Sequence, residues 1–199
     1  MFVEGYTIKG EKAMSYLITD YVHQFVTSHI QNGSICVDAT AGNGNDTVFL
    51  CEHAGMDGKV FAFDIQEAAI ENTKKRVKES GYQNAEIIFD SHVNMKKYLE
   101  EKSVDCILFN FGYLPGGNHA IATKASTSIE AIKEGLDCLK KDGIMGLCIY
   151  SGKDSGFEEK EAILNYLKQI DSKKYLVLVT EYYNRVNHPP IPAFIIRLK

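Results

Sequence analysis

The sequence contains no long apolar segment, no repeat and no strong charge of either sign. No apolar run approaches the roughly 18 residues that a membrane-spanning helix requires, and residues 1–12 lack the apolar core of a signal peptide. We therefore expect a cytoplasmic protein that is not bound to a membrane. The 22 lysines and arginines are outnumbered by 26 aspartates and glutamates, which gives a net charge of −4. This balance excludes a protein held on nucleic acid by its overall charge, although it is compatible with a local basic face.

Cysteine and histidine are present without the spacing typical of metal ligands or redox pairs. The five cysteines are odd in number, far apart and free of any C-x-x-C pair, so we predict small core residues in a reducing compartment. The six histidines lack the spacing of zinc ligands, and we predict no metal site. The cysteines are Cys36, Cys51, Cys106, Cys138 and Cys148.

Short apolar runs alternate with helical patterns along the whole chain. The 199 residues, 45% hydrophobic and 24% charged, are typical of one globular domain, which we place at 1–199. The alternation predicts an α/β fold with a mostly parallel sheet. About ten residues separate the last two predicted strands, too few for a helical crossover, so these strands should form an antiparallel hairpin. The predicted strands are 34–39, 59–64, 85–90, 104–110, 144–150, 175–182 and 193–198, and the predicted helices are 12–30 before the first strand, 46–54, 67–80, one that ends before Gly143, and 157–170.

The turn after the first predicted strand carries the first candidate binding element. Residues 38–47 read Asp-Ala-Thr-Ala-Gly-Asn-Gly-Asn-Asp-Thr. An acid at a strand tip, then glycines and a helix start, is how α/β folds hold nucleotide-like ligands, because the backbone approaches the ligand and helix N–H groups point at it. Thr47 stands where the third glycine of G-x-G-x-x-G would stand, and no Gly-Lys-Ser/Thr follows, which disfavours both the dinucleotide and the P-loop fingerprints.

Polar residues also follow the next three predicted strands. Asp64 comes 20 residues after Gly44, a spacing at which a carboxylate accepts hydrogen bonds from both hydroxyls of a ribose. The third strand ends at residues 90–92, where the side chains can reach an adenine amino group, and the fourth ends at Asn110. Because the ligand crevice of an open parallel sheet lies at the carboxyl ends of its strands, these tips predict one adenosine-binding site. The residues predicted to bind the cofactor are Asp38, Ala39, Gly42, Asn43, Gly44, Asp46, Thr47, Asp64, Ile65, Gln66, Asp90, Ser91, His92 and Asn110.

This layout resembles the class I S-adenosylmethionine-dependent methyltransferases. Their usual first motif is acid-x-Gly-x-Gly-x-Gly, which here reads Asp38-x-Thr40-x-Gly42-x-Gly44, with a threonine in place of the first glycine. The resemblance implies a Rossmann-like α/β fold with helices on both faces of a seven-stranded sheet, in the order 3-2-1-4-5-7-6, with strand 7 antiparallel. The terminal hairpin fits this order.

Three stretches resemble a narrower family, the small bacterial putative rRNA methylases, also called YtqB or MnmM. They are 38–47 together with Phe-Asp-Ile-Gln at 63–66, Asn-Phe-Gly-Tyr-Leu-Pro-Gly-Gly at 110–117, and Asn-Arg-Val-Asn-His-Pro-Pro at 184–190. The resemblance covers essentially the whole chain. It implies transfer of a methyl group from S-adenosylmethionine, leaving S-adenosylhomocysteine, to the amine of a 5-aminomethyl-2-thiouridine at the wobble position of tRNA. The implied partner is the tRNA anticodon loop.

Asn110 and Tyr113 are the candidate residues for holding the methyl acceptor. Methyl transfer from a sulfonium is an in-line displacement, for which the protein supplies alignment and an acceptor with a free lone pair. The Asn110 carbonyl can hold the N–H groups of an amine, while Tyr113 can stack on the uracil ring or close over the site. Their spacing resembles the Asn-Pro-Pro-Tyr loop of amino-methyltransferases, with Phe111 and Gly112 in place of the prolines. His188 is the candidate base, because an alkylammonium with a pKa near that of lysine, about 10.4, must lose a proton before it attacks.

The four prolines of the chain are confined to two segments, 111–123 and 188–192. Stiff loops at the mouth of the cleft fit the need to shape a pocket for a flipped-out base. Lys124 and Arg185 are candidates for contacts with the phosphates around that base, whereas the Lys-Lys-Arg run at 74–76 is predicted to be a solvent-exposed helix face. The residues predicted to bind the substrate are Tyr113, Leu114, Pro115, Gly116, Lys124, Arg185, Asn187 and His188.

Three other functions stay open at the level of sequence. One is a methyltransferase that acts on rRNA or on a small molecule, which the acidic net charge and the lack of a separate RNA-binding domain leave open. The second is a dinucleotide-binding oxidoreductase, which Thr47 and the terminal hairpin disfavour. The third is a partner protein that binds the cofactor without being an enzyme. Apolar and aromatic residues on the first helix and the hairpin are compatible with a homodimer and equally with packing inside a monomer.

Overall fold

The computed structural model describes residues 17–112, 124–151, 155–186 and 188–199. Strands and helices alternate through most of this part of the chain, as the apolar pattern predicts. In chain order the elements are α1 Ile18–Thr27, β1 Ile35–Asp38, α2 Asn45–Ala54, β2 Lys59–Asp64, α3 Glu67–Glu79, β3 Ala85–Phe89, a 3₁₀ helix His92–Lys97, β4 Val104–Phe111, α4 Ala125–Cys138, β5 Leu139–Ile149, α5 Ser155–Leu167, β6 Tyr175–Val179 and β7 Ile191–Arg197.

The seven strands form one mixed sheet in the order β3-β2-β1-β4-β5-β7-β6. Strands β1 to β5 pair in parallel, and β7 runs antiparallel to both of its neighbours, β5 and β6. The predicted Rossmann-like order 3-2-1-4-5-7-6 and the terminal antiparallel hairpin are therefore confirmed. The order matters for function because it brings the carboxyl ends of β1 to β4 to one edge of the sheet.

The boundary between α4 and β5 differs from the prediction. The predicted helix includes Leu139, but α4 ends at Cys138 and Leu139 already pairs with Val104 of β4. The strand then continues through Gly143 after a register shift opposite residues 104–106. Leu139 is fully buried in the strand. Its apolar side chain would fit the core equally well from a helix, so periodicity alone places this boundary poorly.

The other ends differ by smaller amounts. Within the described residues, α1 begins at Ile18, and residues 12–16 of the predicted helix lie outside them. Strand β6 stops at Val179, three residues before the predicted end, because the ladder between β6 and β7 ends where Val179 pairs with Ala193. Strand β7 begins at Ile191, two residues earlier than predicted. The turn that joins the two strands is therefore longer than the sequence pattern indicates.

Helix α1 lies against the sheet at a glycine of β5. The helix buries Ile18, Val22 and Val26. A Cβ atom on Gly146 would lie 2.9 Å from Cγ1 of Val22 and 2.9 Å from Cδ2 of Leu108, closer than ordinary packing allows. The missing side chain thus lets α1 approach the sheet at β4 and β5.

All five cysteines are buried and free, as predicted. Burial raises the pKa of Cys51 to about 12 and that of Cys138 to about 11, so both thiols stay protonated at neutral pH. Within the described ranges, no three His, Cys, Asp or Glu side chains cluster in a way that could hold a metal ion. None of the described helices has both the length and the apolar character needed to cross a membrane.

Candidate active site

The turn between β1 and α2 depends on two glycines with left-handed backbone conformations. Gly42 has a φ of 54° and Gly44 a φ of 77°, a region that favours glycine. A Cβ atom on Gly44 would lie 3.0 Å from Cα of Thr73 on α3, so the turn packs directly against that helix. Gly44 is the residue that caps the N-terminus of α2. The turn therefore brings backbone amides to the carboxyl edge of the sheet, as the sequence motif predicts.

Helix α3 holds this turn through three side chains. Arg76 donates from Nε to the Asn43 carbonyl oxygen at 2.5 Å, and Thr73 donates to the Gly42 carbonyl oxygen at 3.2 Å. Asn72 donates to the side-chain oxygen of Asn43 at 3.1 Å. The run 74–76 is solvent-exposed, as predicted, but Arg76 also makes a structural contact. This side chain bridges to a turn 33 residues earlier in the chain, a contact that the local charge pattern does not indicate.

Asp64, at the tip of β2, connects the glycine turn to the next loop. Its Oδ2 accepts a hydrogen bond from the Gly42 amide at 3.0 Å, and its Oδ1 accepts one from the Gln66 amide at 2.9 Å. The residue is half-buried, so each oxygen keeps a lone pair for a further donor. The adjacent Ile65 is 57% exposed, which puts an apolar side chain beside this carboxylate.

Asp38, at the tip of β1, is fully buried beneath the turn. It accepts hydrogen bonds from the Thr47 hydroxyl at 2.6 Å and from the Thr40 amide at 3.2 Å. Burial, together with the negative charge of Asp46, raises the pKa of Asp38 to about 7. Both oxygens are engaged by the protein, and Thr47 is buried as well. In this structure Asp38 holds the start of the turn and of α2.

The raised pKa of Asp38 makes the stability of the fold depend on pH. The native state binds this proton more tightly than the unfolded chain, where an aspartate has a pKa of about 3.9. The free energy of unfolding should therefore fall as the pH rises from about 4 to about 7. In an Asp38→Asn variant this contribution is absent, and the variant should gain stability relative to the wild type across the window. Urea unfolding of both proteins at several pH values measures the difference, and parallel pH profiles would contradict the expectation.

At the tip of β3, the Asp90 carboxylate is bonded to residues that follow it closely in the chain. One oxygen of Asp90 accepts hydrogen bonds from the Ser91 amide and the Asn94 side chain, both at 2.7 Å. The other oxygen accepts one from the Tyr98 hydroxyl at 3.0 Å. These bonds, that from Asn94 above all, lower the pKa of Asp90. The Ser91 hydroxyl accepts a hydrogen bond from the Val93 amide at the start of the 3₁₀ helix. Asp90 and Ser91 therefore fix the loop that follows β3 at the carboxyl edge of the sheet.

His92 faces the tip of β1. Its Nδ1 lies 3.0 Å from the Ala39 carbonyl oxygen, and its ring contacts that of Phe109 edge-on, with centroids 5.9 Å apart. Burial lowers the pKa of His92, so the neutral ring predominates at pH 7. A carbonyl only accepts, which places the ring proton on Nδ1 and leaves Nε2 as an acceptor.

Asn110, at the tip of β4, has a side-chain oxygen that is buried without a partner among the described residues. Its amide Nδ2 donates to Oδ2 of Asp46 at 2.7 Å, and its backbone N–H donates to the Thr40 hydroxyl at 2.7 Å. A buried carbonyl oxygen without a hydrogen bond is costly, by about 1–3 kcal/mol. Such an atom at the carboxyl edge of the sheet can accept a hydrogen bond from a ligand donor.

Asp46 also contacts α1, through a residue that sequence reasoning missed. Nε2 of His23 lies 2.8 Å from Oδ1 of Asp46, and the His23 ring stacks on that of Phe49 with centroids 3.7 Å apart. Both oxygens of Asp46, which is 8% exposed, are thus engaged by protein groups. A lone histidine on an amphipathic helix gives no sequence signal for this contact, because its partner lies 23 residues away.

The register of the sheet brings the turn before β7 to the same edge. Asn110 pairs with Cys148 of β5, and Cys148 pairs with Pro192 of β7. The Ser151 hydroxyl donates to the His188 carbonyl oxygen at 2.7 Å, which ties the turn to the end of β5. The turn and the Asn110 tip are therefore neighbours across β5.

Three of the residues predicted to bind the substrate are described. His188 is exposed, has a φ of 45°, and contacts the Phe157 ring edge-on with centroids 5.4 Å apart. Lys124 precedes α4 and is exposed, as is Arg185 in the turn between β6 and β7. Outside the described residues lie Tyr113, Leu114, Pro115, Gly116 and Asn187.

Two solved structures similar to this chain are described as methylases or methyltransferases. The chain is 40% identical to a putative rRNA-methylase from Clostridium thermocellum, with a TM-score of 0.90 over 92% of this chain and 99% of that one. It is 35% identical to a putative methyltransferase from Streptococcus mutans, solved in complex with SAH, with a TM-score of 0.84 over 93% of this chain and 100% of that one. Together, the strand order and these similarities define a class I S-adenosylmethionine-dependent methyltransferase.

Sequence comparison narrows this class to one family. Residues 60–196 match the sequence model of the family described as Putative rRNA methylase. The chain is also 32% identical to the chloroplastic tRNA (mnm(5)s(2)U34)-methyltransferase of Arabidopsis thaliana, over 98% of this chain and 72% of that protein. The chain belongs to the Putative rRNA methylase family.

Proposed function

We propose that this methyltransferase acts on the amine of a 5-aminomethyl-2-thiouridine at the wobble position of tRNA. The observation that carries the proposal is the buried Asn110 oxygen, which has no partner among the described residues. An aminomethyl group offers N–H donors to such an oxygen, whereas a carbon or sulfur acceptor offers none. The name of the Arabidopsis relative, a tRNA (mnm(5)s(2)U34)-methyltransferase, supports the same substrate.

The carboxyl edge of β1 and β2 fits a sulfonium nucleoside. S-adenosylmethionine supplies the electrophilic methyl group. The half-buried Asp64 would accept the ribose hydroxyls with its remaining lone pairs, and the exposed Ile65 would cover one face of the adenine ring. The left-handed turn at Gly42 and Gly44 would lie beside the methionine part. The residues around this binding site are Ala39, Asn43, Gln66, Asp90, Ser91 and His92, while Asp38, Asp46 and Thr47 would act from beneath it.

Asn110 would orient the amine for the reaction. When its side-chain oxygen accepts one N–H of the substrate, the nitrogen lone pair is held toward the methyl group, which is the alignment that an in-line displacement requires. The incoming alkylammonium must first lose a proton, and a desolvated pocket lowers its pKa. His188, exposed at the same edge, is the group of this chain that we propose to take that proton.

We propose that the RNA reaches this edge of the sheet between the two proline-containing segments, 111–123 and 188–192. Lys124 and Arg185, both exposed, would contact phosphates around the flipped-out base. From the sequence motifs we propose that Tyr113 stacks on the uracil, and that residues 114–116 and Asn187 complete the pocket. Binding of this kind relies on local charge, consistent with a net charge of −4 for the whole chain.

A transfer assay with defined RNAs tests the proposal. Purified protein and S-adenosylmethionine are incubated with tRNA that carries the aminomethyl group, with the same tRNA lacking it, and with ribosomal RNA, followed by nucleoside analysis. We expect the methylaminomethyl nucleoside to form only on the first RNA. Methylation of ribosomal RNA alone, or no product from protein that binds S-adenosylhomocysteine, would contradict the proposal.

A further inference from the structure

We infer that His23 of α1 is a positioning residue for methyl transfer, which acts through Asp46 to fix the orientation of the Asn110 side-chain amide. The inference rests on the proposed role of Asn110. It adds to the active site a helix that precedes the first strand and that carries no recognised cofactor motif. The physical basis is a continuous row of three side chains on α1, α2 and β4.

The direction of the hydrogen bonds follows from the chemistry of the central group. An ionised carboxylate only accepts, so Asp46 must receive an N–H from each neighbour. Nε2 of His23 lies 2.8 Å from one oxygen, and Nδ2 of Asn110 lies 2.7 Å from the other. The Asn110 amide must therefore turn its NH₂ group toward Asp46. Its carbonyl oxygen is left on the opposite side, which is the buried atom without a partner in the described part of the chain.

His23 keeps Asp46 in this accepting state. Asp46 is 8% exposed, and it interacts unfavourably with the buried carboxyl group of Asp38. Without the N–H donor that His23 supplies to Oδ1, the Asp46 carboxylate would be free to rotate. A rotated carboxylate no longer holds the Asn110 NH₂ group through Oδ2, and the amide could then turn that group toward the substrate. An NH₂ group repels the amine N–H donors instead of holding them.

The His23 ring is itself held firmly. It stacks on Phe49 with an interplanar angle of 2°. The backbone of His23 accepts a hydrogen bond from the Thr27 hydroxyl at 2.7 Å, one turn further along α1. The neighbouring Val22 is fixed against the sheet at Gly146. The packing of α1 on the sheet thus determines where the donor of Asp46 lies.

Two substitutions separate the N–H donor from the aromatic ring. His23→Phe keeps a ring on Phe49 but has no N–H group for Asp46. His23→Gln loses the ring but places an amide nitrogen the same number of bonds from the backbone as Nε2 of histidine. We expect His23→Phe to lower kcat about 10- to 100-fold, the effect of a misoriented reacting group. The affinity for S-adenosylhomocysteine should stay within about twofold, and His23→Gln should recover most of kcat, since it restores the donor that Asp46 needs.

The matched control is His29→Phe, which changes a half-buried histidine just after α1 whose Nδ1 lies 3.0 Å from the Asp142 carbonyl oxygen. This variant should keep the wild-type kcat. Wild-type kcat in His23→Phe would overturn the inference. So would equal losses in His23→Phe and His23→Gln, or a parallel loss of S-adenosylhomocysteine binding, because these results indicate a purely structural role.

A second measurement does not depend on the RNA substrate. The side-chain NH₂ signal of Asn110, identified by its absence in Asn110→Ala, is followed by ¹⁵N NMR. We expect its shift and its slow exchange with water to be lost in His23→Phe and restored in His23→Gln. An unchanged signal in His23→Phe would overturn the inference even if the wild-type protein methylates another acceptor. Failure of the proposed function alone would appear as a wild-type protein that is inactive on tRNA but shows the expected NMR changes.

Discussion

Replacing Asn110 with alanine is expected to lower kcat for methyl transfer about 100- to 1000-fold, the loss seen when a preorganised hydrogen-bonding group is removed from a reaction centre. Two effects combine in this variant. The buried oxygen that would hold the amine disappears, and Oδ2 of Asp46 loses the N–H donor now 2.7 Å away. The Thr40 hydroxyl of the glycine turn accepts from the Asn110 backbone N–H, which alanine keeps, and Asp64 accepts from the Gly42 and Gln66 amides. The affinity for S-adenosylhomocysteine should therefore change by only a few-fold.

Single-turnover kinetics with saturating RNA, together with calorimetric titration of S-adenosylhomocysteine, separate these two quantities. The matched control is Asn32→Ala. Asn32 donates to Asp57 on the surface before β1, at the opposite edge of the sheet, and its loss should leave kcat unchanged. A kcat for Asn110→Ala close to that of the wild type would show that the Asn110 oxygen does not hold the acceptor.

The fold is largely readable from the sequence because its signals are local. Three of the parallel strands are apolar runs with a polar residue at or next to the end: Asp38 and Asp64 are the last residues of β1 and β2, and Asn110 is the last but one of β4. The short connection before the last strand predicts the hairpin. The full order of the sheet is implied instead by the family resemblance. The end of α4 was misplaced because Leu139 satisfies a helical and a strand pattern at once.

The hydrogen bonds that connect the side chains of the site could not be predicted, because they join elements that are far apart in the sequence. In sequence, Asp46 is an acid in the first turn of a helix, a favourable place for negative charge. Nothing near it indicates a bond to Asn110, 64 residues later, or to His23, 23 residues earlier. Arg76 likewise resembles one of three charges on a solvent-exposed helix face, yet it donates a hydrogen bond to the Asn43 carbonyl oxygen. Only the packing of α1 and α3 against the central strands reveals these roles.

Asp64→Asn is expected to weaken the binding of S-adenosylhomocysteine about 100-fold, since each hydrogen bond to a charged group contributes about 1.5–3 kcal/mol. The carboxylate now accepts from the Gly42 and Gln66 amides on separate oxygens. An asparagine has one accepting oxygen, so its NH₂ group would face one of these backbone donors. The variant therefore loses the charge that would bind the ribose hydroxyls, and the glycine turn loses one of its attachments.

Calorimetry of S-adenosylhomocysteine binding measures this loss, and thermal unfolding without ligand shows whether the fold survives. Asp90→Asn is the informative companion, because Asp90 is also an acid at a strand tip but both its oxygens are bonded within its own turn. We expect a much smaller change in affinity for Asp90→Asn than for Asp64→Asn. Equal losses in the two variants would mean that charge at this edge, and not the particular geometry of Asp64, holds the nucleoside.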